Sequence, residues 1–280
     1  MSSEASMKSP NKKRQRSDSE DNNNDKFPSA KKEMRPELSR VRIGLISDTH
    51  GVLEESAVKY LAGLPSCRVV IHAEDVGDKR AGRLKPQDLL DVLSMRIVND
   101  NDNKNSKRVV ACRGNVDDAL PKKYQCNLPP SVLYTVPETR TRILVLHGDG
   151  VPDNARIKNM KDGSLRVTEG AWAIIQKFRA QVVIYGHSHL VGCHEYNGVL
   201  FINPGSAGPK RFKLPRSCGS LSLTADTESE VVEYQTQLHC LETGKTILAK
   251  SGSIWVNLHL PAKAKEIKLN HLDSIKASEE

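Results

Sequence analysis

Val41-Arg42-Ile43-Gly44-Leu45-Ile46, followed at once by Ser47-Asp48-Thr49-His50-Gly51, sets the pattern for most of the chain. A short apolar run rich in β-branched residues reads as a buried strand, and the polar residues ending in glycine read as its exit loop. Five more segments repeat that grammar. Val69–Ile71 precedes His72-Ala73-Glu74-Asp75, and Val109–Ala111 precedes Arg113-Gly114-Asn115-Val116-Asp117. Ile143–Leu146 leads into His147-Gly148-Asp149-Gly150, and Val182–Tyr185 into Gly186-His187-Ser188-His189. Val199–Ile202 leads into Asn203-Pro204-Gly205-Ser206. Helical patterns lie between the strands. Thr168–Ala180 spaces Ala171, Ile174, Ile175 and Phe178 along one face with Thr168 as the cap, and Pro86–Ser94 gathers Leu89, Leu90 and Leu93 behind a first-turn proline. Strands alternating with helices imply an α/β layered fold. After Asn203 the pattern turns antiparallel, with apolar and polar residues alternating in Ser220–Leu223 and Val231–Gln235.

The flanks differ in kind. Residues 1–40 carry ten basic and seven acidic side chains and few apolar ones, which predicts a disordered tail. Its Lys12-Lys13-Arg14-Gln15-Arg16 cluster suits either a nuclear address or a solvated tail. The core domain is expected over 41–244, with 245–280 as an extension packed in part upon it. Asn99–Ser106, almost wholly Asn, Asp and Lys, reads as a surface insertion. The 280 residues hold 42 Lys+Arg against 34 Asp+Glu, a net charge of +8, and no apolar run near the roughly 20 residues of a membrane helix. With no early hydrophobic segment either, a cytoplasmic protein is expected, nuclear if the basic cluster acts. The six cysteines form no C-x-x-C pair and read as reduced thiols.

The chemistry gathers where the strands end. Asp48, His50, Asp75, Asn115, His147, His187 and His189 each follow an expected strand, and in open α/β sheets ligands bind beyond the carboxyl ends of the strands. Seven such donors exceed one tetrahedral zinc and suit two metal ions sharing a carboxylate. Asp48-x-His50 and His187-x-His189 each place alternate side chains on one side of an extended segment, so that both members of a pair reach inward. Asp48 alone would serve equally as the cap of a helix beginning near Leu53.

In this order, Ser47-Asp48-Thr49-His50-Gly51, Asp75, Gly114-Asn115-Val116-Asp117, His147-Gly148, Gly186-His187-Ser188-His189 and Asn203-Pro204-Gly205-Ser206 resemble the calcineurin-like metallophosphoesterases. The chain is most similar to their small bacterial and archaeal phosphodiesterase branch, which also contains the metallophosphoesterase-like subunit of the retromer sorting complex. The resemblance spans about Val41 to Gln235. It implies a four-layer α/β/β/α sandwich of the metallophosphoesterase type. It also implies one metal held by Asp48, His50, Asp75 and His189, and another by Asp75, Asn115, His147 and His187. Asp75 would bridge the two ions, and a hydroxide between them would attack a phosphate ester in line. The catalytic weight would rest on Asp75, Asn115 and His187. Manganese is the first expectation, with iron, nickel, zinc or magnesium also suited to such donors.

Two residues depart from the family. Where it usually has Gly-Asp, this chain has Glu74-Asp75; Glu74 is expected to point to solvent, the alternatives being that it distorts the loop or adds a charge near the metals. Where many members carry a histidine that protonates the leaving group, this chain has Val116, which has no proton to give; water or Asp117 could replace it, or Asp117 could be a plain cap. His72 reads as a core or supporting histidine, and His194, His239, His259 and His271 as surface or packing residues. Lys210 and Arg211, in a basic stretch after Ser206, are candidates to hold a substrate phosphate.

Together these features predict a dinuclear-metal-dependent phosphoesterase, a phosphodiesterase in preference to a phosphomonoesterase, acting on a small or nucleotide-like ester. The alternative is a non-catalytic interaction scaffold on the same fold, which would not need the full donor set. A protein partner or a second copy is compatible with either. Nucleic acid is not an expected partner: a net charge of +8 gives only non-specific attraction, and 12 aromatics form no basic-aromatic surface.

Overall fold

The structure is a computed structural model and describes residues 38–97, 107–149, 156–160, 162–211, 213–226 and 229–257, with the backbone of 265–269. In chain order the elements are β1 (Leu38–Ile46), α1 (Glu55–Ala62), β2 (Cys67–His72), α2 (Pro86–Arg96), β3 (Arg108–Ala111) and α3 (Asn115–Asp118). Then come β4 (Ser131–Thr135), β5 (Arg142–Leu146), β6 (Ile157–Asn159), β7 (Leu165–Val167), α4 (Glu169–Lys177) and β8 (Val182–Tyr185). The last are β9 (Gly192–Tyr196), β10 (Val199–Asn203), β11 (Ser217–Asp226), β12 (Val231–Cys240), β13 (Thr246–Trp255) and β14 (Lys265–Leu269).

The strands form two six-stranded sheets, ordered β13-β12-β11-β1-β2-β3 and β14-β4-β5-β8-β10-β9, with β6 and β7 as a separate hairpin. β1, β2 and β3 run parallel, as do β5, β8 and β10, and the outer neighbours pair antiparallel. Strands covered on both faces need apolar residues at every position, which is why β8 and β10 read as unbroken apolar runs.

Three apolar clusters explain the order of layers. One joins Ile43, Leu45 and Ile71 of the first sheet to Val145, Ile184 and Ile202 of the second, so the two sheets face each other across it. A second packs Leu144, Val183 and Phe201, on the other face of the second sheet, against Ala171 and Ile175 of α4. The third packs Ile46 and Val70 against Leu61 of α1 and Leu93 of α2. Each fully buried Val, Leu or Ile contributes about 1.5–3 kcal/mol. Gly44 lets α1 approach β1, since a Cβ there would sit 2.8 Å from Leu61 Cδ2. This mixed α/β fold is consistent with the expected α/β/β/α order.

Several boundaries move. Leu38, Ser39 and Arg40, assigned by sequence to the tail, pair with Asp226, Ala225 and Thr224, because β11 is long enough to extend β1 backwards. α1 takes Glu54 as its N-cap, so Asp48 caps no helix. Thr168 does cap α4, accepting from Ala171 N at 3.4 Å. β13 and β14 occupy sheet edges beside β12 and β4. Residues 1–37, the insertion at 99–106, His259 and His271 lie outside the described residues. Among the described residues no helix is long and apolar enough to cross a membrane, and all six cysteines are free thiols.

Candidate metal centre

The carboxyl ends of the parallel strands in both sheets meet at one place. Asp48 and His50 follow β1, Glu74 and Asp75 follow β2, Asn115 follows β3, His147 follows β5, and His187 and His189 follow β8. Backbone hydrogen bonds zip the first two loops together, from Asp48 N to Glu74 O (3.1 Å), His50 N to Asp75 O (2.9 Å) and Gly51 N to Val76 O (2.9 Å). Asn203, at the end of β10, donates to Gly186 O and Ser188 Oγ, and Ser206 Oγ donates to Asp48 O, so the Asn203–Ser206 turn braces two of the loops at once.

Backbone strain concentrates here. Of ten described non-glycine residues with positive φ, six are Asp48, His50, Glu74, Asp75, His187 and His189. Such conformations cost of order 1–3 kcal/mol each and persist where the surroundings over-determine them. The segment from Asp48 to His50 is therefore not extended, as the D-x-H spacing suggested. Its side chains still converge, because two left-handed residues flank Thr49 and turn its hydroxyl the other way, to His72 Nε2 (2.8 Å) and Val76 O (2.9 Å).

Two donor sets result. In the first, His189 Nε2 lies 3.1 Å from Asp48 Oδ1 and 3.3 Å from His50 Nε2, and all three residues are buried. In the second, Glu74, His147 and His187 bring ligand atoms within 4.8 Å of one another, and Asp48, Glu74 and Asp75 form a carboxylate group equally tight. The 3.1 and 3.3 Å separations of the first set match an ion bound at about 2.0–2.2 Å, whose ligands lie at most twice that apart. His50 Nδ1, both ring nitrogens of His147 and both oxygens of Glu74 are buried without an aligned hydrogen-bond partner. An unsatisfied buried polar group is costly, and carboxylate and imidazole are the donors that divalent metals take. The residues present fit a metal centre.

The electrostatics agree. Burial lowers the pKa of His50 and of His147 to about 4, His187 adding to the effect on His147, so both imidazoles are neutral and offer lone pairs. Burial also acts to raise Asp48, but the hydrogen bond and charge of His189, with Ser47 Oγ at 2.6 Å, hold it below its ordinary value. Burial, then the neighbouring charge of Asp48, pushes Asp75 up to about 8 and Glu74 well above the carboxylate range. Three carboxylates this close cannot all ionise without cations among them.

The expectation for Glu74 is wrong. It is 0% exposed, with Oε2 against His147 Nδ1. Its φ of +120° lies in the region glycine favours, which turns the side chain toward the centre, against the general preference of glutamate for solvent. Asp117 accepts from Val76 N (3.0 Å), Gly77 N (2.8 Å) and Gly114 N (3.0 Å), which makes it a brace between loops rather than a proton source. Val116 contributes its backbone N–H to Asp75 Oδ1 at 2.9 Å. His72 is buried and supports Thr49 as expected. The Asn115 side chain is exposed on an open cleft of about 240 Å³ that also takes Asp78, Lys79, Arg80, Val116 and Arg211. Arg211 lines this cleft and Lys210 does not. Lys79 and Arg80, four and five residues after Asp75, line it too, and no motif in the sequence marks them.

Residues 41–226 match the calcineurin-like phosphoesterase superfamily domain. A protein named as a probable metallophosphoesterase of Methanocaldococcus jannaschii is 28% identical over 198 residues, covering 69% of this chain and 81% of that protein. Vacuolar protein sorting 29 from Cryptosporidium parvum shares the fold at 19% identity and a TM-score of 0.50, covering 77% of this chain and 98% of that one. A phosphoesterase from E. coli is 19% identical with a TM-score of 0.42, covering 78% of this chain and 100% of the other.

Proposed function

Because the chain belongs to the calcineurin-like phosphoesterase superfamily, we propose that it is a metal-dependent phosphodiesterase acting on a small or nucleotide-like phosphate ester. The observation that carries the proposal is the convergence of two donor sets at one point of the fold, among which His50 Nδ1, both ring nitrogens of His147 and both oxygens of Glu74 are buried without an aligned hydrogen-bond partner. Asp48, His50 and His189 would hold one divalent cation, and His147 and His187 a second, with Asp75 between them and Asn115 at the rim. Manganese is the first choice, and iron, nickel, zinc or magnesium suit the same donors. When bound, two such cations about 3.5–4 Å apart activate a water and neutralise phosphate oxygens for in-line displacement.

The chain's own residues supply the remainder. Arg211 and Lys79 line the cleft beside Asn115 and can hold non-bridging phosphate oxygens by charge-assisted hydrogen bonds, while the Arg80 guanidinium, on the same cleft, is paired with Asp78. Among the described residues, neither Val116, which has no proton, nor Asp117, whose oxygens are taken by backbone amides, stands ready as an acid for the leaving group. That favours esters whose leaving oxygen departs without a side-chain proton donor.

A non-catalytic scaffold is the second reading, favoured by Glu74 and Val116 standing where many family members have glycine and histidine. Hydrolysis of bis-p-nitrophenyl phosphate and p-nitrophenyl phosphate with added manganese separates the two. The enzyme reading expects faster turnover of the diester, abolished by Asp75→Ala and by His187→Ala. Folded protein with no turnover under manganese, iron, nickel, zinc or magnesium would leave the scaffold.

A further inference from the structure

Glu74 is held at a double cost. Its φ of +120° is a conformation nearly confined to glycine, and its carboxylate is fully buried. The side chain fills a slot between the Gly114 and Gly186 backbones, where a Cβ on Gly186 would meet Glu74 Cγ at 3.1 Å and one on Gly114 would meet Glu74 Oε2. No N–H or O–H is aligned to donate to either oxygen. What the carboxylate does face is an imidazole nitrogen of His147, with His187 in the same cluster and the Asp48 and Asp75 carboxylates on its other side. A carboxyl group with no aligned hydrogen bond that borders two carboxylates either holds a proton or is stabilised as the anion by positive charge placed among them. The His147 ring is T-stacked on His187 with centroids 4.6 Å apart, so the ligand nitrogens of both rings and the Glu74 oxygens enclose one small volume.

We propose that Glu74 is itself a metal ligand, completing with His147 and His187 the site of the second cation. The inference rests on the metal-dependent reading above and adds a residue to it. It makes three carboxylates, Asp48, Glu74 and Asp75, available to the two ions. The charge at the centre becomes one unit more negative than the Asp48–Asp75 pair alone would supply. The added oxygen also makes the second site harder, which favours manganese, iron or magnesium over zinc there.

The test is metal binding, read without turnover. The full chain, stripped with chelator and dialysed against graded manganese, is assayed for bound metal by mass spectrometry, with circular dichroism to confirm folding. Wild-type protein is expected to bind two ions. Glu74→Gln keeps the shape of the side chain and should weaken one ion by about tenfold or more while leaving the other unchanged. Glu74→Gly should weaken the same ion, yet melt higher than wild type when both are metal-free, because it relieves the positive φ. Equal binding of both ions by wild type and Glu74→Gln would overturn the proposal. So would tighter binding by Glu74→Gln, which would mark the carboxylate as an obstruction. If the wild type binds no manganese or any other divalent ion, the metal-dependent reading falls, and this inference with it.

Discussion

Replacing Gly114 by alanine tests whether the carboxylates must sit where they do. Gly114 has φ −116° and ψ −173°, which alanine adopts freely, so the substitution carries no backbone penalty. Its effect is steric and local. The new Cβ would lie 2.8 Å from Asp75 Cγ, with Asp75 Oδ1 and Glu74 Oε2 nearer still. To regain an ordinary contact of 3.4 Å, Asp75 Cγ must retreat by about 0.6 Å, roughly three times the 0.2 Å tolerance of a metal–ligand distance. The retreat also stretches the 2.9 Å hydrogen bond from Val116 N to Asp75 Oδ1. Overpacking of this kind costs about 1–3 kcal/mol, and a fold of this size loses roughly 2–4 °C of Tm per kcal/mol. The protein should therefore stay folded, melting about 2–12 °C lower, while manganese affinity drops about 10–100-fold and diester turnover about 100-fold. Circular dichroism melting, metal content after dialysis and hydrolysis of bis-p-nitrophenyl phosphate report the three quantities. A variant with wild-type metal content and turnover would show that Asp75 and Glu74 are not positioned for a metal, and the reasoning would fail.

Three further outcomes follow from the same geometry. Asp75 is raised in the folded state, so folded protein binds the extra proton and stability falls as pH rises from the unfolded value near 3.9 through about 8. The histidines held near 4 act in the opposite sense, but only below about pH 6.5, so metal-free protein in chelator should lose about 2 kcal/mol between pH 6.5 and 8; urea melts giving a flat or rising stability there would contradict the charge balance. Asp117→Asn removes a carboxylate that accepts three backbone N–H groups and should lower the urea midpoint by the equivalent of about 2 kcal/mol. An unchanged midpoint with a pH-shifted kcat would instead make Asp117 the proton donor. Arg211→Ala should raise KM for the diester about tenfold with kcat little changed, the loss of one charge-assisted contact; a fall in kcat alone would place Arg211 at the reacting atoms.

Much of this was legible because parallel strands announce both themselves and their ends. An apolar run that stops at Asp48-x-His50, Glu74-Asp75, His147-Gly148 or Gly186-His187-x-His189 fixes the strand and the donors together, and the sheet geometry then gathers the donors. Elements that carry no donors were harder to see. β4, with Val132, Leu133 and Tyr134 all buried, has the apolar run but leads to no chemical loop, and α1 is eight residues with only three of them buried. The backward extension of β1 was invisible in Leu38-Ser39-Arg40, where the register is set by β11, 180 residues and more away in sequence. Arg80 and Lys79 looked like loop charges because nothing local says that Arg211 shares their cleft.

Glu74 was misread for a reason that bears on the whole centre. Residue type argues for solvent, and only the dihedral argues for burial, because at φ +120° the chain aims the side chain inward whatever its polarity. The same conflict between local preference and observed state recurs at Asp48, His50, Asp75, His187 and His189, each polar, each left-handed, and all at one point of the fold. Where several residues break local rules together, the compensation is to be sought in something they share. The Asn203–Ser206 turn and Asp117 supply part of it as hydrogen bonds that clamp the loops from outside. They do not reach the inward-facing atoms of Glu74 and His147, which have no aligned hydrogen bond from the protein. Cations at the centre would satisfy those atoms, balance the three carboxylates and offset the strain in one step. That is why the strained backbone, the orphaned donors and the raised carboxyl groups are three views of one requirement.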